Sequence, residues 1–173
     1  SLEELLEEAR KTVERLIRES ERVLRESEER VRRLIEELER VVRRDHMVLH
    51  EYVNAAGITE ALKELEKLLR EDSKRVKEVL DDLRRDLERN KRRNEKVLRE
   101  LEELLKRLEE LVREGVREEE LEKLLREIEE RVKEMLKRDE DTLREIERKV
   151  KEAVRDSERT LEEIEKRVTE EKT

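Results

Sequence analysis

Residues 112–121 read VREGVREEEL. Everything before Gly115 in this stretch continues a charged, leucine- and valine-spaced pattern, and everything after Arg117 starts one again. Glycine reaches the left-handed backbone conformation without a Cβ penalty, and a branched residue after it, here Val116, covers the end of the helix just closed. Glu118, Glu119 and Glu120 then favour a helix N-terminus through the macrodipole, although Arg117 is a poor capping residue. The other glycine of the chain stands in the same context, Gly57-Ile58-Thr59-Glu60, where the Thr59 hydroxyl can cap the next helix. Ser1 and Glu4 have capping-box spacing. Helices are therefore expected over about 2–56, 60–114 and 118–171, each about 55 residues and roughly 80 Å long. Connections this short force neighbours to run antiparallel. The expected fold is all-α, an up-down-up antiparallel three-helix bundle spanning 1–173 as one unit.

Composition agrees with long helices. Of 173 residues, 57% are charged and 33% hydrophobic, with 1% aromatic and no Pro, Cys, Trp or Phe. High charge with few aromatics can mean disorder, but here the apolar residues are periodic. Val13, Ile17, Ser20, Leu24, Ser27, Val31, Leu34, Leu38, Val41, Asp45, Val48, Tyr52 and Ala55 alternate in steps of four and three, a heptad seam. Leu16, Val23, Ile35, Val42 and Leu49 widen it. The second and third helices carry seams of the same kind, from Leu69 to Leu111 and from Leu121 to Ile164. The net charge of −8 is finely mixed, with no basic block for nucleic acid. No apolar run is long enough for a membrane span, no signal or lipid motif is present, and a chain without cysteine suits a reducing cytosol.

Polar residues interrupt the seams. When the chain is folded at its glycines, level positions on neighbouring helices have residue numbers adding to about 116 or 232. Ser20 and Ser27 then lie level with Asn90, Asn94, Asp139 and Thr142, and Asp45 lies level with Ser73, Ser157 and Thr160. These two layers are expected to be buried and mutually hydrogen-bonded, since a paired polar network fixes register where an unpaired one is costly. Changing Asn90 and Asn94 together to leucine is then expected to raise stability while loosening register. A ligand or metal site at Asn90, Asn94 and Asp139 is the less favoured reading, because no histidine joins them. Equal helices, near-repeated turns and aligned polar layers make the chain resemble de novo designed helical bundles with buried hydrogen-bond networks.

One stretch uses a different alphabet: Arg44-Asp45-His46-Met47-Val48-Leu49-His50-Glu51-Tyr52-Val53-Asn54-Ala55-Ala56-Gly57-Ile58-Thr59. It holds the only tyrosine and both histidines of the chain. These residues resemble the eleventh strand of the green fluorescent protein family, in the engineered form used for split reporters. The resemblance implies a partner, the complementary ten-strand fragment that carries the chromophore, and places Glu51 beside that chromophore after complementation. It covers only this stretch; no other part of the chain resembles that barrel, and no chromophore-forming tripeptide is present. Read with period two, Met47, Leu49, Glu51, Val53 and Ala55 share one face of a strand. Read on the heptad seam, Val48, Leu49, Tyr52 and Ala55 face the bundle while His50, Glu51 and Asn54 face water. Residues 44–56 are expected to be helical here, continuous with the first helix, because flanking heptads on both sides propagate the helix.

His46 and His50 are four apart, but two ligands are too few for a closed zinc site, and two solvated histidines are the simpler reading. No nucleophile–base pair or phosphate-binding loop is visible. The expectation is a synthetic, non-catalytic protein without cofactor, metal, membrane or nucleic-acid partner. It would act as a switch or sensor component that cages the strand. The alternatives are a passive scaffold carrying the tag, or a three-helix receiver for a separate fourth helix.

Overall fold

The computed structural model describes the backbone of residues 2–56, 60–115 and 117–172, and their side chains apart from those of residues 2, 49, 52–56, 60–62, 171 and 172. Three helices follow one another: α1 (Leu2–Ala56), α2 (Glu60–Glu114) and α3 (Glu118–Lys172), each of 55 residues. Each packs against the other two in an all-α three-helix bundle. Side-chain partners give the directions. Between α2 and α3 the pairs run Glu64 with Arg167, Asp72 with Ser157 and Asp82 with Lys149, so numbers rise on one helix as they fall on the other. Between α1 and α3, Arg30 pairs with Glu147 and Arg44 with Ser157, so these two run parallel.

The start of α3 explains its own sequence. Gly115 has φ +76°, and a Cβ built there would meet nothing within 4 Å. The backbone angle, not crowding, therefore selects glycine. Arg117 occupies the cap position: its carbonyl accepts hydrogen bonds from the N–H groups of Glu120 (3.1 Å) and Leu121 (3.3 Å). Its side chain contributes no capping oxygen, so three glutamates in the first turn compensate through charge. Ser1, Gly57, Ile58, Thr59 and Val116 lie outside the described residues.

Contacts divide the chain into two compact units, one of residues 1–29 with 87–143 and one of 30–86 with 144–173. The first has a continuous apolar core in which Leu6, Val13 and Ile17 of α1 meet Leu101 and Leu108 of α2 and Leu121, Ile128 and Met135 of α3. Val23 departs from the expected stripe and lies at its solvent edge, 36% exposed. In the second unit Ile35, Leu38 and Val41 are buried, as are Val76, Leu80 and Leu83 of α2 and Ile146 and Val150 of α3. A separate cluster in this unit joins Leu65 and Leu69 to Ile164, with half-buried Val48 packed against it. No helix among the described residues is long and apolar enough to cross a membrane.

Candidate functional site

Each unit contains one buried polar cluster. In the first unit Asp139, 3% exposed, is held by two amides from α2. Asn90 Nδ2 donates to Asp139 Oδ1 at 2.8 Å, and Asn94 Nδ2 donates to the same oxygen at 3.1 Å. Asn90 and Asn94 are one helical turn apart, so both side chains reach the same level of α3. Thr142 is half-buried; its hydroxyl donates to the Arg138 carbonyl at 2.9 Å and accepts from Arg93 Nη2 at 3.4 Å. Ser20 does not join them. Its hydroxyl is buried and donates to the Leu16 carbonyl of its own helix at 2.7 Å. Serine can satisfy itself this way wherever a helix offers the carbonyl one turn back, so a seam position level with the layer does not by itself bring Ser20 into the network. Ser27 is only half-buried. The void beside Asn90, Asn94 and Arg131 is about 10 Å³, at most the room of a single water.

The second unit is built differently. Asp45 of α1 is 1% exposed, and both of its carboxylate oxygens are buried with no donor. The group it faces is Asp72 of α2, itself 1% exposed. Asp72 is well supplied: Ser157 Oγ donates to its Oδ2 at 2.8 Å, and Arg75 Nη2 reaches its Oδ1 at 3.3 Å. Ser157 in turn accepts from Arg44 Nη2 at 3.1 Å. Thr160 donates back to the Asp156 carbonyl at 3.1 Å and accepts from Arg75 Nη2 at 3.2 Å. Ser73 is buried at the rim, where it lines an open cavity of about 230 Å³ together with Asp45, His46 and Leu69. Burial first, and then the neighbouring Asp72, push the Asp45 carboxyl up to about 8, against the pull of Arg44.

The layer expected from the sequence does not include Asp72. It precedes the seam residue Ser73, and in a chain this charged an aspartate one step off a seam reads as solvated. The signal was its number, which complements Asp45 under the same folding arithmetic that placed Ser73.

Arg44 to Ala56 form the last part of α1. Within them Asp45 is buried and Val48 half-buried, whereas His46, Met47, His50 and Glu51 are exposed, Met47 at 66%. Leu49, Tyr52, Val53, Asn54, Ala55 and Ala56 have side chains outside the described residues, so their expected places on the seam carry no further statement. Among the described residues, no group of three or more His, Cys, Asp or Glu side chains is arranged to hold a metal ion. No protein-family model, curated protein or solved structure matches the chain.

Proposed function

We propose that the chain is a designed cage for a reporter strand. Residues 44–59 are kept in a helical bundle and become available to the complementary ten-strand fragment only when the end of α1 leaves its place. What supports this reading is one observation: the stretch that resembles a barrel strand is helical through Ala56. A helix consumes its own backbone N–H and C=O groups, while addition to a barrel needs the same groups free for neighbouring strands. The two states exclude each other.

Leaving the bundle exposes what the segment buries. Asp45 loses its place against Asp72, and Val48 leaves the cluster of Leu65, Leu69 and Ile164. Each large apolar side chain withdrawn from the bundle costs about 1.5–3 kcal/mol. An opening free energy of about 4 kcal/mol would lower the competent fraction, and with it the apparent affinity, by roughly a thousandfold. A separate helix competing for the face that α1 occupies is the partner that would open the cage without denaturant.

The test compares complementation rates of the intact protein and the free sixteen-residue peptide at equal concentration. The cage predicts a much slower intact protein, brought toward the peptide rate by mild urea or by Leu38→Asp, which places a charge at a fully buried seam position. Equal rates would leave only a passive scaffold carrying a tag.

A further inference from the structure

The buried pair of the second unit has a property that its neighbours do not supply. Two carboxyl groups face each other from α1 and α2, and one of them has no donor on either oxygen. If both were ionised, two like charges would share a site with almost no contact with water. Buried like-charged carboxyls avoid this by keeping a proton between them. None of the nearby donors takes that proton's place on Asp45: Ser157 and Arg75 bond Asp72, and Arg44, which bonds Ser157 through Nη2, keeps a buried Nε that reaches neither Asp45 oxygen.

We propose that one proton held between Asp45 and Asp72 is the clasp that keeps the end of α1 on α2, so that mild alkali opens the cage. This deepens the cage reading and rests on it for its functional consequence. The location is what gives the proton leverage. Asp45 lies within the reporter segment itself, one residue from its start, whereas Asp72 lies on the helix that stays behind.

The groups around the pair come from all three helices, the charged ones from α1 and α2. Arg44 on α1 favours the ionised form of Asp45, as its place in the cluster requires. Arg75 on α2 leans on Asp72, and α3 presents the hydroxyls of Ser157 and Thr160. The cavity whose wall Asp45 forms is also lined by His46, Arg70, Lys74 and Lys77, which are exposed and open to solvent. That cavity gives water and hydroxide a route to the edge of the pair.

The direction of the pH effect follows from which state holds the proton longer. An unfolded aspartate releases it near pH 4 (about 3.9), and the folded one retains it until about pH 8. The stabilisation is therefore fully present below pH 4 and is lost as pH rises toward 8. Within that window opening becomes up to about tenfold easier for each pH unit.

The experiment follows three readouts between pH 5 and pH 9 on the intact protein and on Asp72→Asn. This substitution keeps an acceptor for Ser157 and lies outside the reporter segment. The first readout is the carboxyl carbon shifts of Asp45 and Asp72 in the intact protein, the second the urea midpoint, and the third the complementation rate divided by that of the free peptide at the same pH. The clasp predicts a carboxyl that titrates above pH 6 and a midpoint that falls with pH. It also predicts a normalised rate that rises at least about tenfold from pH 6 to 9, with a change below about twofold in Asp72→Asn. Titration of both carboxyls below pH 5, or the same pH profile in Asp72→Asn, overturns it. Should that variant fail to fold, the carboxyl titration of the intact protein decides alone. If the intact protein matches the free peptide at every pH, the cage reading falls and the midpoint still judges the clasp: equal midpoints at pH 6 and 9 overturn it.

Discussion

The two polar clusters solve one problem with different chemistry. In the first unit a buried aspartate, Asp139, receives two N–H donors from Asn90 and Asn94. In the second a buried aspartate, Asp45, receives none and faces a second carboxyl, Asp72. An amide carries its protons at every accessible pH, so the first cluster is satisfied permanently. A carboxyl pair must borrow a proton from solvent, so the second is satisfied conditionally. Both arrangements match helices in register, but only the second makes that match depend on the medium. The conditional one takes Asp45 from the segment that resembles a reporter strand.

The comparison can be broken first at the amides. Considered as isolated seam residues, Asn90 and Asn94 would be expected to give way to leucine with a gain in stability. Their bonds to Asp139 reverse that expectation. The double leucine variant strips both donors from a carboxylate that is 3% exposed. Each hydrogen bond to a charged group is worth about 1.5–3 kcal/mol and two are lost, so the urea midpoint should fall sharply. Adding Asp139→Leu should recover much of the loss, and only that triple variant tests whether the layer sets register. A double variant as stable as the parent would mean that Asp139 finds other donors.

A second substitution converts one cluster into the other. Asn94→Asp gives the first unit a facing carboxyl pair and should transfer pH dependence to it. At pH 8 the cost should be on the order of 3 kcal/mol, declining toward zero as acid supplies the missing proton, because each pH unit of displacement is worth about 1.4 kcal/mol. Thermal unfolding at pH 5 and 8, beside the parent protein, reads this directly. A pH-independent loss would assign the effect to geometry instead.

The smallest effects separate two serines of equal burial. Ser157, 0% exposed, donates across helices to Asp72, whereas Ser20, 1% exposed, donates to its own helix. Ser157→Ala removes a donor from a buried carboxyl and should cost about 2 kcal/mol. Ser20→Ala frees only a carbonyl that already belongs to the helix ladder and should change stability by less than about 0.5 kcal/mol. Chemical denaturation resolves the two. Equal costs would show that burial, and not the identity of the acceptor, governs these seam serines.

The helices were legible from the sequence because two independent signals coincide. Gly57 and Gly115 cut the chain into equal parts, and the heptad spacing is kept within each part even where polar residues occupy it. The level of each polar layer was legible for the same reason, since folding at the glycines fixes which numbers meet. The partner of each polar group was not. A serine on a seam can bond sideways, as Ser157 does, or backwards, as Ser20 does, and both choices fit the same position. Asp72 stayed hidden because burial of an acid one step off the seam depends on the helix's rotation, which a heptad pattern fixes only to within a side chain. The missing donor on Asp45 could be found only with all the neighbours in place.

The borrowed proton also makes the second unit a participant in the acid–base balance of its surroundings. Near neutral pH the folded chain holds a proton that the opened chain gives up. Opening therefore acidifies a weakly buffered medium, and the acid produced favours closing. In a confined, poorly buffered volume at high protein concentration, the population of open molecules would limit its own growth. In strong buffer the same protein would open without that restraint.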